Sequence, residues 1–204
     1  MDDAQIREAF HRSKLRKYHH AANTLVVNEL GLKHGRYRAD IAVINGHFIG
    51  FEIKSDEDSL GRLTEQVQAY SDVFDRVTVV VGIKHADVVS SKVPDWWGVT
   101  LARKGPRGGI FFESIRTGCF NKNVDAFSLA QLLWKNEASG ILVELDVPRR
   151  ILRQERSILY ELLAESLSRV ELRRKVRDCL TRRGNWRCRE LPSPSDGLSQ
   201  LAAM

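Results

Sequence analysis

Cysteine is scarce in this chain: Cys119, Cys179 and Cys188 are its three, scattered over the second half. An odd, scattered set argues against a disulfide framework and a cysteine zinc site, and for a reducing, cytoplasmic setting. No run of eighteen apolar residues occurs, so no membrane-spanning helix is expected. The opening stretch MDDAQIREAF is acidic and then helical in pattern, unlike a secretion signal. Internal repeats are lacking as well. What is present is 204 residues, 43% of them hydrophobic, enough for one sizeable domain and an appendage.

Charge is uneven. The net charge is +6, yet the stretch from Arg149 to Arg189 alone holds thirteen basic residues against five acidic ones. Such a concentration suits a polyanion, most simply nucleic acid. A solvated arginine-rich helix face is the plainer alternative. Arg169, Arg173, Arg174, Arg177, Arg182 and Arg183 are the candidate phosphate contacts.

Periodicity divides the chain in two. Residues 3–17 and 20–31 read as helices, the second carrying Glu29 and stopping at Gly31. Arg38–Ile44 and Phe48–Lys54 are β-rich runs around Asn45-Gly46, a hairpin signal. Residues 59–74 place Leu60, Leu63, Val67, Tyr70 and Phe74 at helical spacing, with Asp58 or Ser59 as a cap. RVTVVVG, 76–82, reads as an interior strand. Weaker strands are expected at 99–103 and 110–115. Helices are expected at 126–136, at 153–167 with Ile158, Leu159, Leu162 and Leu163 inward, and from a capping box at Ser168–Glu171 to about Arg183. These elements imply an α/β core with a mixed sheet flanked by helices over 1–122, a helical arginine-rich region over 123–189, and a flexible tail over 190–204.

One question arises at FEIKSDEDS, residues 51–59. Strand alternation puts Glu52 and Lys54 on the same face. Buried charges are costly unless paired, metal-bound or chemically employed. The neighbouring run RYRADIAVI offers Asp40. A two-residue loop at Asn45-Gly46 would point Asp40 away from Glu52. A three-residue loop pairs Ile44 with Phe48 and brings Arg38, Asp40, Glu52 and Lys54 to one face, with Gly46 taking a left-handed conformation. Carboxylates of Asp40 and Glu52 and the carbonyl of Ile53 are hard donors suited to Mg²⁺ or Mn²⁺. Taken alone, the same residues could be two salt bridges at a sheet edge.

The stretch RADIAVINGHFIGFEIKS resembles the signature of the PD-(D/E)XK nuclease superfamily, in which an Asp on one strand precedes a Glu-x-Lys on the next. Asp40, Glu52 and Lys54 match those positions, with Ala39 where a proline often stands. Gln66-x-x-x-Tyr70 in EQVQAY is similar to an accessory motif of the RecB-like branch, and Glu29 matches an upstream acid. The wider stretch resembles small bacterial and phage members, over roughly Thr24 to Gly82. The resemblance implies a restriction-endonuclease-like fold and a Mg²⁺-dependent (or Mn²⁺-dependent) nuclease acting on phosphodiester bonds, with DNA as the expected partner. It implies Asp40, Glu52, Ile53 and Glu29 around the metal, Lys54 beside the attacking water, and Gln66 in support. Tyr70 also fits a plain core position, and Glu29 a plain surface one. His19, His20 and His85 read as structural, and Trp96-Trp97 as a loop anchor. Two other functions remain open: a catalytically silent nucleic-acid-binding protein with a helix-turn-helix-like C-terminal region, and a subunit whose basic helices meet a protein partner.

Overall fold

In the computed structural model, which describes residues 1–184, a single mixed sheet of six strands runs in sequence order. The strands are β1 (Leu25–Leu32), β2 (Tyr37–Ile44), β3 (Phe48–Lys54), β4 (Arg76–Val81), β5 (Gly98–Lys104) and β6 (Ile110–Arg116). The first three form an antiparallel meander. Strands β3, β4 and β5 are parallel, and β6 returns antiparallel to β5. The helices are α1 (Asp3–Arg12), α2 (Arg16–His19), α3 (Leu63–Ser71), α4 (Ala86–Val89), α5 (Ala126–Ala130), α6 (Lys135–Glu144), α7 (Arg149–Leu152), α8 (Arg156–Ser166) and α9 (Arg169–Arg182). The fold is thus α/β with a C-terminal helical region. No helix among the described residues is long and apolar enough to cross a membrane.

Two apolar clusters explain the layering. Ile6, Phe10 and Leu15 cover one sheet face, against Ile41, Val43, Phe51, Ile53 and Val80. The alternate residues Ala42, Ile44, Phe48, Val77, Val79 and Val81 form the larger core on the other face, with α3, α5, α6, α8 and α9. Period-two alternation is what lets one strand serve both clusters.

The hairpin loop is the three-residue one. Ile44 pairs with Phe48, and Gly46, at φ 105°, supplies the positive dihedral. Other expectations are corrected. The expected second helix over 20–31 is replaced by a strand, β1 (Leu25–Leu32), which carries Glu29 at φ 56°. The expected helix over 126–136 is cut: α5 ends at Ala130, and α6 starts anew at Lys135. There Glu137 accepts from the Trp134 amide at 2.7 Å. Helix α3 starts after Arg62, and Asp58 instead accepts from the Ser55 amide at 2.7 Å. Ile158 is exposed, whereas Leu159, Tyr160 and Leu163 are buried. The Ser168–Glu171 capping box is present. The stretch expected as a tail, 190–204, lies outside the described residues, as do Arg187 and Arg189.

The helical layer is pinned to the sheet by one buried acid. Asp75, fully buried just before β4, accepts from the Phe48 amide at 2.8 Å and pairs with Arg173 of α9 at 2.7 Å.

Candidate active site

Strands β2 and β3 part at the residues of interest. Their ladder ends at the pair Ile41 and Phe51. Beyond it, the side chain of Asp40 enters the gap, and its Oδ2 accepts from the Ile53 amide at 2.7 Å. A carboxylate oxygen thus takes the place of a ladder acceptor, and the strand backbone itself helps to fix its position. Across the gap, Glu52 is almost wholly buried at 1% exposure. Its Oε1 accepts from Gln66 Nε2 at 2.6 Å and forms an ion pair with Lys54 Nζ at 2.6 Å. Its Oε2 accepts from the Tyr70 hydroxyl.

Helix α3 is therefore part of the site. Gln66 and Tyr70 lie one turn apart and both reach Glu52. Tyr70 also accepts from the Asp40 amide at 3.1 Å, so one hydroxyl ties the two acidic positions together. Burial, then the charges of Glu52 and Asp40, push its phenol well above its ordinary value and keep it a proton donor. Tyr70 is both core and site.

Asp40 and Glu52 line one cavity of about 530 Å³ with Lys54, Gln66 and Ile53. Burial, and then the charge of Glu52, raise the Asp40 carboxyl from 3.8 to about 7. Two acids that resist joint ionisation are the arrangement a divalent cation relieves. Among the described residues no cluster of three or more His, Cys, Asp or Glu is placed to hold a metal. Mg²⁺ does not need one: it keeps several waters and is held by one or two carboxylates together with substrate oxygens. Asp40 Oδ1, Asp40 Oδ2 and Glu52 Oε2 each accept from one donor and keep a further lone pair, and the buried Oε1 of Gln66 has no hydrogen-bond partner among the described residues. The donor set fits a hard, hydrated divalent ion.

Sequence reading missed Arg7 of α1. Its guanidinium lies 3.1 Å from Asp40 Oδ1 and 3.2 Å from Glu29 Oε1, and donates to the Asp40 carbonyl at 2.8 Å. Glu29 is bridged further to Arg38 at 3.1 Å. Glu29 thus lies at the cavity rim, on a strand and between two arginines. Arg7 carries no motif; only its place on the polar side of an amphipathic helix hinted at a partner.

The six arginines singled out on the C-terminal helix fare differently. Arg173 is committed to Asp75, and Arg183 to Glu137 while its guanidinium packs 4.1 Å from the Trp134 ring centre. Arg177 pairs with Asp178 at 3.0 Å, Arg182 touches the Cys179 sulfur, and Arg169 donates to the Lys122 carbonyl at 3.1 Å. Arg174 is exposed. Trp97 is fully buried, as a loop anchor would be. His19 bonds His11 at 2.9 Å, and His85 contacts the Asp58 carbonyl at 3.1 Å.

Fold and site together define a mixed-sheet α/β protein with paired acids and a lysine at a split hairpin. The chain belongs to the family described as Bacteriophage P4 protein cII, whose profile it matches over residues 4–191. It is similar to Protein cII of Enterobacteria phage P4, with 31% identity over 121 residues, 59% of this chain. The matched stretch spans 46% of that protein's length. No solved structure matches.

Proposed function

We propose that the protein is a metal-dependent nuclease of the restriction-endonuclease-like kind, hydrolysing phosphodiester bonds in nucleic acid, with DNA as the favoured substrate. One observation carries this reading. Asp40, Glu52 and Lys54, spaced as in PD-(D/E)XK nucleases, meet in one cavity, with Gln66 and Tyr70 fastening Glu52.

Asp40 and Glu52 would hold Mg²⁺ or Mn²⁺, and Ile53, whose amide Asp40 fixes, lies beside them. When bound, such an ion polarises a phosphoryl oxygen and lowers the pKa of bound water. Lys54, its side chain 12% exposed, is the cation nearest Glu52 and can orient the attacking water. It can also offset charge that grows on the phosphate oxygens in the transition state. Gln66 presents its spare amide oxygen to that water. Tyr70 holds the geometry and keeps its proton. Arg7 and Arg38 hold Glu29 at the rim, which gives it an electrostatic role in place of direct ligation.

The test is incubation of purified protein with linear, circular and single-stranded DNA, with and without Mg²⁺ or Mn²⁺. Metal-dependent cutting that Asp40→Asn and Glu52→Gln abolish supports the reading. Binding with no cutting under any metal leaves a silent nucleic-acid-binding protein.

A further inference from the structure

The turn between β1 and β2 takes a costly path. Lys33, His34 and Gly35 follow one another at φ 48°, 59° and 84°. Non-glycine residues held this way cost on the order of 1–3 kcal/mol each and recur at functional sites. The turn separates two concavities. On one side Gly35, Arg36 and Arg38 line the candidate active site. On the other, His34 and Gly35 line a groove of about 330 Å³ with Trp134, Lys135 and Arg156. A neighbouring recess of about 440 Å³ repeats His34, Lys135 and Arg156. Gly35 borders both the candidate site and the groove, so the two lie on either side of the same turn.

The groove is basic. His34, Lys135 and Arg156 are all exposed, and Glu155 is the one acid that lines it among the described residues. Lys135 and Arg156 open α6 and α8, where a positive charge works against the helix dipole. Stability alone does not favour either placement. Desolvation, then the charge of Arg156, hold His34 below its ordinary value, so a neutral imidazole lines the groove with Lys135 and Arg156. Arg183, the residue behind the groove, is already paired with Glu137.

We infer that this groove binds the phosphodiester backbone of the nucleic acid away from the scissile bond, with Lys135 and Arg156 on its phosphates and Arg36 on the strand as it crosses the β1–β2 turn. The inference rests on the nuclease reading for the nature of the polyanion. It moves the main grip from α9 to the N-terminal ends of α6 and α8.

The experiment measures affinity of the full chain for fluorescent single- and double-stranded DNA 30-mers across a salt series. The variants are Lys135→Glu with Arg156→Glu and, for the same change in net charge, Lys104→Glu at the end of β5 with Arg107→Glu in the β5–β6 turn. Thermal melts confirm folding, and Lys135→Gln with Arg156→Gln replaces the reversal if it fails to fold. Expected is a loss of at least about tenfold at 0.1 M salt and a salt slope lower by roughly one to two for the groove variant, against about twofold for the control. Wild-type affinity in the groove variant, or an equal loss in the control, overturns the inference. So does competition by poly-glutamate as effective as that of DNA, which would mark an acidic protein as the occupant. Cutting by wild type with an unaffected groove variant sinks this inference alone. Groove-dependent binding without cutting sinks the hydrolase reading alone.

Discussion

At the scale of single residues the site is a small set of acids kept in tension by their surroundings. Asp40 titrates near 7 because burial and Glu52 oppose its charge. Between its unfolded value and that pH the folded state holds the extra proton, so stability is fully present at the acid end and lost as pH rises through this window. Without divalent ions, denaturant midpoints are expected to fall from about pH 4 to about pH 7. Mg²⁺ or Mn²⁺ should reverse that fall, and Asp40→Asn should remove it. Lys54→Ala makes a different prediction. It is expected to cut cleavage by about 10²–10³ while DNA affinity stays within about twofold, measured by single-turnover nicking and by anisotropy. Tyr70→Phe leaves Glu52 with one donor fewer in a buried place and should cost about 1–3 kcal/mol of stability by urea titration. Much of this site was legible, because parity is strict in strands: Asp40 and Glu52 share a cavity only with an odd loop, and Gly46 made that loop feasible. Arg7 was not legible. A helix pattern reveals its apolar side, and what the polar side meets depends on how α1 crosses the sheet.

Among elements, β1 and α9 are the instructive ones. LVVNELGL reads poorly as a strand since its alternation breaks in the middle: Val27 and Leu30 both join the larger core, and Glu29 between them turns to φ 56°. A period-two signal cut into two short halves looks helical. The break between α5 and α6 was hidden for another reason, as the residue preceding α6 is Trp134, not a Ser, Thr, Asp or Asn. The capping box of α9 was read correctly because it is local. The fate of its arginines was not, because Asp75 is distant in sequence. Neighbouring residues therefore part company. Arg173→Ala strands a buried carboxylate and is expected to cost about 3–5 kcal/mol, whereas Arg174→Ala on the exposed side should stay within about 0.5 kcal/mol, both by chemical denaturation. Equal, small effects would mean that the Arg173 pair does not anchor α9.

For the molecule as a whole, the larger apolar core draws on both the sheet and the C-terminal helices: Val79, Tyr70 and Trp97 belong to the same cluster as Leu159, Leu172 and Val176. Unfolding is expected to be one transition, with fluorescence and far-ultraviolet circular dichroism superimposing. A chain ended at residue 122 should not fold, and limited proteolysis of the intact protein should release no stable 1–122 fragment. Asp75 makes the point sharply, since its two oxygens serve α9 and the first amide of β3, the strand that bears Glu52 and Lys54. Recombination that set these helices on another sheet, or this sheet under other helices, would deliver an orphaned charge into a dry interior. The strand that bears Glu52 and Lys54 and the described helix farthest from it in sequence are thus bound to be inherited together.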